Sequence, residues 1–392
     1  MTRFGAATVS TALALVLGLV SGCTGDPEPT DPPGPASTPG SPVSTPADAS
    51  SAGPSSSSTA SADTTRTPTV DASPARDLAT GLEVPWQVVT LADGRMLVTE
   101  RETAAIKQIG PDGAVRELGT VPGVRASGEG GLLGLAPSPD FATDRTLFVY
   151  HSTRSDNRVV RITLDGDRLG DPEVVLDGIP VATNHNGGRI AFGPDRLLYV
   201  ATGDAGDSAN AQDRDSLAGK IMRINPDGSV PEGNPFGNRV WSLGHRNVQG
   251  LAWAADGTLY ASEFGQKTWD ELNVITPGGN YGWPRVEGIG NRAGMTDPIA
   301  QWGTDESSPS GIAIDSGGDV WMAALKGERL WRVRIGPGHT AASSEPLLVG
   351  RYGRLRQVDA TDDGRLLVLT NNTSRGTPRD GDDRLVSIPL PD

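Results

Sequence analysis

Residues 184–204 read NHNGGRIAFGPDRLLYVATGD. Two short apolar runs, Arg189–Phe192 and Leu197–Ala201, flank a Gly-Pro-Asp turn, the pattern of a strand, a tight turn and a returning strand. His185 precedes the first run and Asp204 follows the second. The strand–turn–strand part recurs along the chain; the histidine does not.

Five other stretches share the pattern: WQVVTLADGRMLVTE from Trp86, LLGLAPSPDFATDRTLFVYHS from Leu132, GLAWAADGTLYASEFG from Gly250, GIAIDSGGDVWMAAL from Gly311 and LRQVDATDDGRLLVLTNN from Leu355. Their turn markers (Asp93, Asp144, Asp195, Asp256, Gly317 and Asp363) recur every 46 to 61 residues. A unit of that length holds about four strands, the size of a propeller blade. Further strand-like runs lie between the hairpins, such as RVVRITL from Arg158, KIMRIN from Lys220 and RLWRVRI from Arg329. No amphipathic helix stands out. The pattern predicts an all-β, six-bladed β-propeller over residues 77–392, closed by a strand from one end of the chain. A β-sandwich is the competing all-β arrangement, and six copies in step argue against it.

Composition agrees with a turn-rich soluble body: of 392 residues, 51 are Gly and 31 Pro. The net charge of −14 argues against nucleic acid as a partner and against adhesion to an acidic membrane surface. Only four residues are Lys: Lys107, Lys220, Lys267 and Lys326. At the N-terminus, Arg3 and the apolar run 6–20 form a targeting segment too short for a comfortable membrane span. VSGC ends it at Cys23, the only cysteine, in a pattern that resembles a bacterial lipobox. An ordinary signal peptide with an incidental cysteine is the alternative. The expectation is a signal peptide over 1–22, a lipid-anchored Pro/Ser/Thr-rich linker over 23–76, and a domain held at the outer, extracytoplasmic face of a bacterial cell membrane. Contact with the membrane is then through the lipid alone.

In a propeller, the residues entering each first strand and those leaving each second strand meet at one mouth of the central channel. Glu129, His185, Arg246, Asn247, Arg354 and Arg356 occupy or adjoin the entry positions. Asp204, Gly265, Gln266 and Lys326 follow second strands. Taken singly, each has an ordinary structural explanation: a surface histidine, a salt-bridged arginine, a solvated lysine. Taken together, four cations at one mouth of an acidic protein call for an anionic ligand such as a small polycarboxylate or phosphate. His185, between two asparagines and two glycines, suits a general base. Asp270 and Glu271 are adjacent acids in a loop-like stretch, with oxygen donors suited to Ca²⁺ rather than Zn²⁺. Such a pair serves equally as a loop cap.

These phrases, with GEGGLLGLA, AQD, LAGKIMRI, LGHRNVQGLAW, DELNVITPGGNYGWP, SPSGIAI, AALKG and GRLRQV, make residues 77–390 resemble the soluble, PQQ-dependent aldose sugar dehydrogenase family, also called the glucose/sorbosone dehydrogenase family. The resemblance implies PQQ in the channel mouth and Ca²⁺ held through the carbonyls of Gly265 and Gln266. It implies His185 as catalytic base, Arg246 and Asn247 on the cofactor, and Lys326, Arg354 and Arg356 on its carboxylates and carbonyls. Glu271 and the carbonyl of Tyr281 fall on a second, structural Ca²⁺ site. Glu129 stands where relatives have Gln, Asn184 where glucose-oxidising relatives have Asp, and Gln266 where they have Pro. Gln212 and Trp302 fall near sugar-contacting positions.

The function expected is oxidation of an aldose at the anomeric carbon to a lactone, with electrons passing to an unidentified acceptor, by a monomer or dimer. A Ca²⁺-dependent lactonase and a non-catalytic carbohydrate- or protein-binding propeller are the alternatives. The first would need carboxylates around the mouth; the second would tolerate loss of His185.

Overall fold

The computed structural model describes residues 74–391. The signal peptide and Cys23 lie outside the described residues, as does nearly all of the expected linker. The first strand begins at Arg76, one residue before the expected boundary.

Twenty-four strands form six four-stranded antiparallel blades, and a short strand, Arg168–Leu169, adds to the second blade. The first strands of blades I to VI are Pro85–Thr90, Leu132–Pro137, Ile190–Phe192, Val248–Trp253, Pro309–Ile314 and Leu355–Ala360. Neighbouring blades touch through these innermost strands, except that blade III meets Val248–Trp253 through its second strand, Leu198–Ala201, and blade VI returns to blade I. The β-sandwich alternative is thereby excluded. The only helices among the described residues are single turns, such as Phe141–Asp144 and Asn372–Arg375.

The hairpins follow the turn chemistry. In blade III, Ile190 pairs with Val200 and Phe192 with Leu198. The Asp-Gly turns put glycine at positive φ, for example Gly94 (81°) and Gly257 (89°), where a side chain would be strained.

Alternation along each strand builds the core. Leu147 and Val149 face the seam between blades I and II, whereas Phe148 and Tyr150 face the seam between II and III. Both faces of such a strand are buried, so it reads as a continuous apolar run. Six apolar clusters result, one in each seam between adjacent blades. Each innermost strand also carries an unpaired backbone edge facing the channel. Glutamines meet part of that need: Gln87 Oε1 accepts from Leu135 N (3.1 Å), while Gln357 accepts from Val88 N (3.0 Å) and donates to Val88 O (2.8 Å).

The ring closes with the N-terminal end. Arg76–Ala79 pairs antiparallel with the C-terminal strand Leu385–Pro389, as the outermost strand of blade VI. Ala79 is buried there, and Arg384 bonds Asp77 at 2.9 Å. Chains beginning at Ala75 and at Thr80 separate the ends of this ladder. The first is expected to unfold at the full chain's midpoint temperature, and the second roughly 5–10 °C lower, from a few lost hydrogen bonds and apolar contacts. Equal midpoints in thermal unfolding would contradict this closure.

Candidate functional site

The blade-entry and strand-exit positions converge on one cavity of about 330 Å³ at the channel mouth. Glu129, His185, Arg246, Asn247, Gly265, Gln266, Lys326, Arg354 and Arg356 all line it.

His185 has φ +56°, a conformation uncommon outside glycine, and is held there from several sides. Its backbone N–H donates to Glu129 Oε2 at 2.9 Å. The following Gly187 also has positive φ, and a Cβ on it would lie 2.5 Å from Thr202 Cα. A Cβ on Gly203 would meet His185 O at 2.0 Å, so the two segments can approach only without side chains. His185 Nδ1 lies 2.7 Å from Asp204 Oδ1, and Asn184 Nδ2 lies 3.2 Å from His185 Nε2. Burial raises the Asp204 pKa, but hydrogen bonds from His185, the Gly206 N–H and Trp283 Nε1 outweigh it and hold the carboxyl below its usual range. An ionised Asp204 selects the tautomer with hydrogen on Nδ1, which leaves the Nε2 lone pair to accept from the Asn184 amide.

A buried histidine, His245, supports the adjoining segment, whose Arg246 carbonyl accepts from Asp204 N at 2.8 Å. His245 lies between Ser242 Oγ (2.8 Å) and Glu263 Oε2 (2.8 Å) and stacks on Tyr281. The other Glu263 oxygen accepts the backbone N–H groups of Arg246 and Asn247. This clamp presents Arg246 to the cavity, its guanidinium over the Trp283 ring at 5.5 Å. The carbonyl oxygen of the Asn247 side chain accepts from Gly187 N at 3.0 Å, tying blade IV to the His185 segment.

The floor and far wall are cationic. Arg356 is buried and bonds Gln249, Ser310 and Asn371. Burial pulls its pKa well below the ordinary value, and Arg101, Arg354 and Arg189 push it the same way. Arg354 is lowered by burial and then by Arg375, and Arg246 by burial against four surrounding carboxylates. Among the described residues, the Nε–H groups of Arg101, Arg246, Arg354 and Arg356 are buried without a partner. Lys326 is more exposed and pairs with Asp305. Such a set suits a polyanion, which would satisfy the N–H groups and relieve the repulsion.

The same cavity has an oxygen-donor edge. Among the described residues, the carbonyls of Gly265 and Gln266 accept no hydrogen bond, and both residues border the cavity. Carbonyl oxygens left free in this way suit a hard cation such as Ca²⁺. Behind them, Glu271 and Tyr281 line a second, much smaller pocket with Glu263 and Glu287. Its roughly 10 Å³ leaves room for a single ion or water molecule. Burial, and then the charge of Glu263, raise the Glu271 pKa. Asp270 is pushed to about 6 by burial, although Ser308 N and Gly265 N both donate to it.

Two expected sugar contacts need correction. Trp302 is buried in the seam between blades IV and V, tilted against Trp331 with ring centroids 5.4 Å apart, and does not border the cavity. Its strand, Ala300–Gly303, is the outermost of blade IV and therefore far from the channel. Gln212 exchanges hydrogen bonds with Asn280 and donates to Trp283 O, which consumes its side chain away from the cavity lining. Arg101 and Arg375 line the cavity and were missed. Arg375 donates to Glu129 Oε1 at 3.3 Å. Both follow the second strand of their blade, so the strand-exit rule that singled out Asp204 and Lys326 would have found them in blades I and VI.

Comparison with known proteins agrees with this geometry. The family model described as Glucose / Sorbosone dehydrogenase matches residues 82–377. Among solved structures, the PQQ-bound form of aldose sugar dehydrogenase from Streptomyces coelicolor is 53% identical, with a TM-score of 0.78 over 80% of this chain and 96% of that one. Aldose sugar dehydrogenase YliI of Escherichia coli is 31% identical over 75% of this chain and 88% of its own length. Quinoprotein glucose dehydrogenase B of Acinetobacter calcoaceticus is 32% identical, over 55% of this chain and 53% of its own. A six-bladed propeller whose channel mouth joins a carboxylate-oriented histidine to buried arginines, matched by that model along most of its length, belongs to the glucose/sorbosone dehydrogenase family.

Proposed function

We propose that the protein oxidises aldose sugars at the anomeric carbon to lactones, with PQQ and Ca²⁺ as cofactors. The observation that carries this reading is the convergence, in one cavity, of a histidine held by a carboxylate, orphaned guanidinium N–H groups and two free carbonyls. The residues present fit both groups. Lys326, Arg354 and Arg356 would hold the PQQ carboxylates and carbonyls, with Arg246 and Asn247 against its body and Glu129 at its edge. Gly265 and Gln266 would hold the Ca²⁺. Glu271 and the Tyr281 carbonyl would hold a second ion in the smaller pocket.

When bound, PQQ supplies a quinone that takes up the sugar's hydride, its acceptor carbonyl polarised by Ca²⁺. His185 supplies the base. Its Nε2 takes the C1 hydroxyl proton once the sugar displaces the Asn184 amide, and loss of the C1 hydride completes the lactone. Asp204 keeps the imidazole in the reactive tautomer and stabilises the imidazolium that forms. Arg246 lies beside His185 in the wall and stabilises negative charge developing there. Asn184 sits on the atom that receives the proton, so sugar preference should respond to that side chain. Electrons then leave for an external acceptor.

The lining argues against a lactonase: Arg101, Arg246, Lys326, Arg354, Arg356 and Arg375 outnumber Glu129 and Asp270. The proposal also keeps the protein tethered through a lipid on Cys23 at the outer face of the membrane. Incorporation of labelled palmitate into the wild type and equally into Cys23→Ser would end that part of it.

Apoprotein reconstituted with PQQ and Ca²⁺ is expected to reduce an artificial dye in the presence of aldoses. No reduction across a panel of aldoses, with no PQQ uptake, would refute the reading. His185→Ala should lose roughly 10²–10⁴-fold in kcat yet retain PQQ. Asp204→Asn presents an amide that can donate to Nδ1 and favour the wrong tautomer, and should lose roughly 10²-fold or more. Lys326→Ala should instead weaken PQQ binding about tenfold, as measured by titration, through loss of one charged hydrogen bond. Wild-type turnover in His185→Ala would favour the non-catalytic alternative.

A further inference from the structure

Glu287 belongs to the loop that follows Trp283, and its carboxylate lies beneath the segment 264–270 that carries the two free carbonyls. Its Oε1 accepts from four successive backbone N–H groups: Gln266 (2.7 Å), Lys267 (3.0 Å), Thr268 (2.9 Å) and Trp269 (3.2 Å). Asp270 takes the N–H before them, from Gly265 at 2.9 Å. A row of N–H groups converging on one oxygen is an anion-binding nest, here filled by the protein's own side chain.

Peptide geometry turns this clamp into a statement about the carbonyls. In a planar trans peptide the N–H and the C=O of the same unit point in opposite directions. The Gln266 N–H shares its unit with the Gly265 carbonyl, and the Lys267 N–H shares its unit with the Gln266 carbonyl. Drawing those two N–H groups onto Glu287 therefore turns the Gly265 and Gln266 oxygens away from it. Both residues border the cavity, and neither carbonyl is taken by a donor among the described residues. The Phe264 carbonyl, one unit earlier, is already occupied by Arg246 Nη1 at 3.2 Å.

We propose that Glu287 is a positioning residue for the cation site, its carboxylate aiming the Gly265 and Gln266 carbonyls at the ion without touching it. This rests on the function proposed above. Second-layer groups of this kind set metal affinity through the orientation of the ligands they hold.

The test compares wild type with Glu287→Ala, Glu287→Asp and Glu287→Gln. Two quantities are read: amide hydrogen exchange at 266–269 in the metal-free protein, and the Ca²⁺ concentration for half-maximal PQQ uptake, followed by PQQ absorbance. Glu287 also borders the smaller pocket, so uptake coupled to PQQ is read rather than total calcium. In Glu287→Ala, exchange at 266–269 should accelerate, and half-maximal uptake should need roughly ten- to hundredfold more Ca²⁺. Glu287→Gln keeps a carbonyl oxygen in place and should retain most of both properties. Glu287→Asp keeps the charge but withdraws the oxygen by one methylene, so it should resemble Ala if geometry governs. Wild-type Ca²⁺ dependence in Glu287→Ala and Glu287→Asp overturns the proposal and leaves the function standing. A wild type with no Ca²⁺-dependent PQQ uptake refutes the function and this proposal together, whatever the exchange shows.

Discussion

The site depends on buried positive charge that the protein neutralises only in part. Arg356 lies at the floor of the cavity with Arg101, Arg354 and Arg189 as charged neighbours, and its Nε–H, like those of three other cavity arginines, has no partner. Isolated burial of one such charge is expensive, and bringing several together adds repulsion. A fold tolerates this only if the surrounding scaffold is rigid and if a ligand supplies the missing negative charge. The six apolar seams provide the rigidity, because each blade is packed on both faces and the ring is closed.

The same geometry explains why the site is assembled from fragments distant in sequence. Radial blades return a first-strand entry and a second-strand exit to one mouth, so His185, Arg246 and Arg356 meet without being neighbours in the chain. Trp86 shows how tightly this centre is organised. The guanidiniums of Arg189 (4.4 Å) and Arg356 (5.8 Å) both lie over its ring, so one aromatic side chain supports both cations at the channel floor. Carboxylates on the rim serve as orienting groups as well as counterions. Glu129 and Glu263 accept backbone N–H groups, and Asp204 fixes an imidazole.

Much of this was legible in the sequence because it depends on position within a repeat. Asp-Gly turns between apolar runs located the hairpins, and the hairpins located the mouth. That sufficed for His185, Arg246, Lys326, Arg354 and Arg356. It failed where a contact depends on a long loop or on which face of an outer strand is presented. Trp302 sits on an outermost strand and turns into a seam, and Gln212 is consumed by Asn280 and the Trp283 carbonyl. Neither outcome leaves a periodic trace. Glu287 was equally silent: its partners are backbone amides, which any sequence possesses. Which end of the chain closes the ring was also unreadable, since Arg76–Ala79 carries little apolar patterning and is recognisable as a strand only beside Leu385–Pro389.

The central claim is that the cationic cavity is a site for an anionic quinone beside a poised histidine. Calorimetric titration of the metal-free apoprotein with PQQ, in the presence and absence of Ca²⁺, tests it most directly. The account predicts saturable, stoichiometric binding that tightens when Ca²⁺ is present. Absence of saturable binding under both conditions would contradict it.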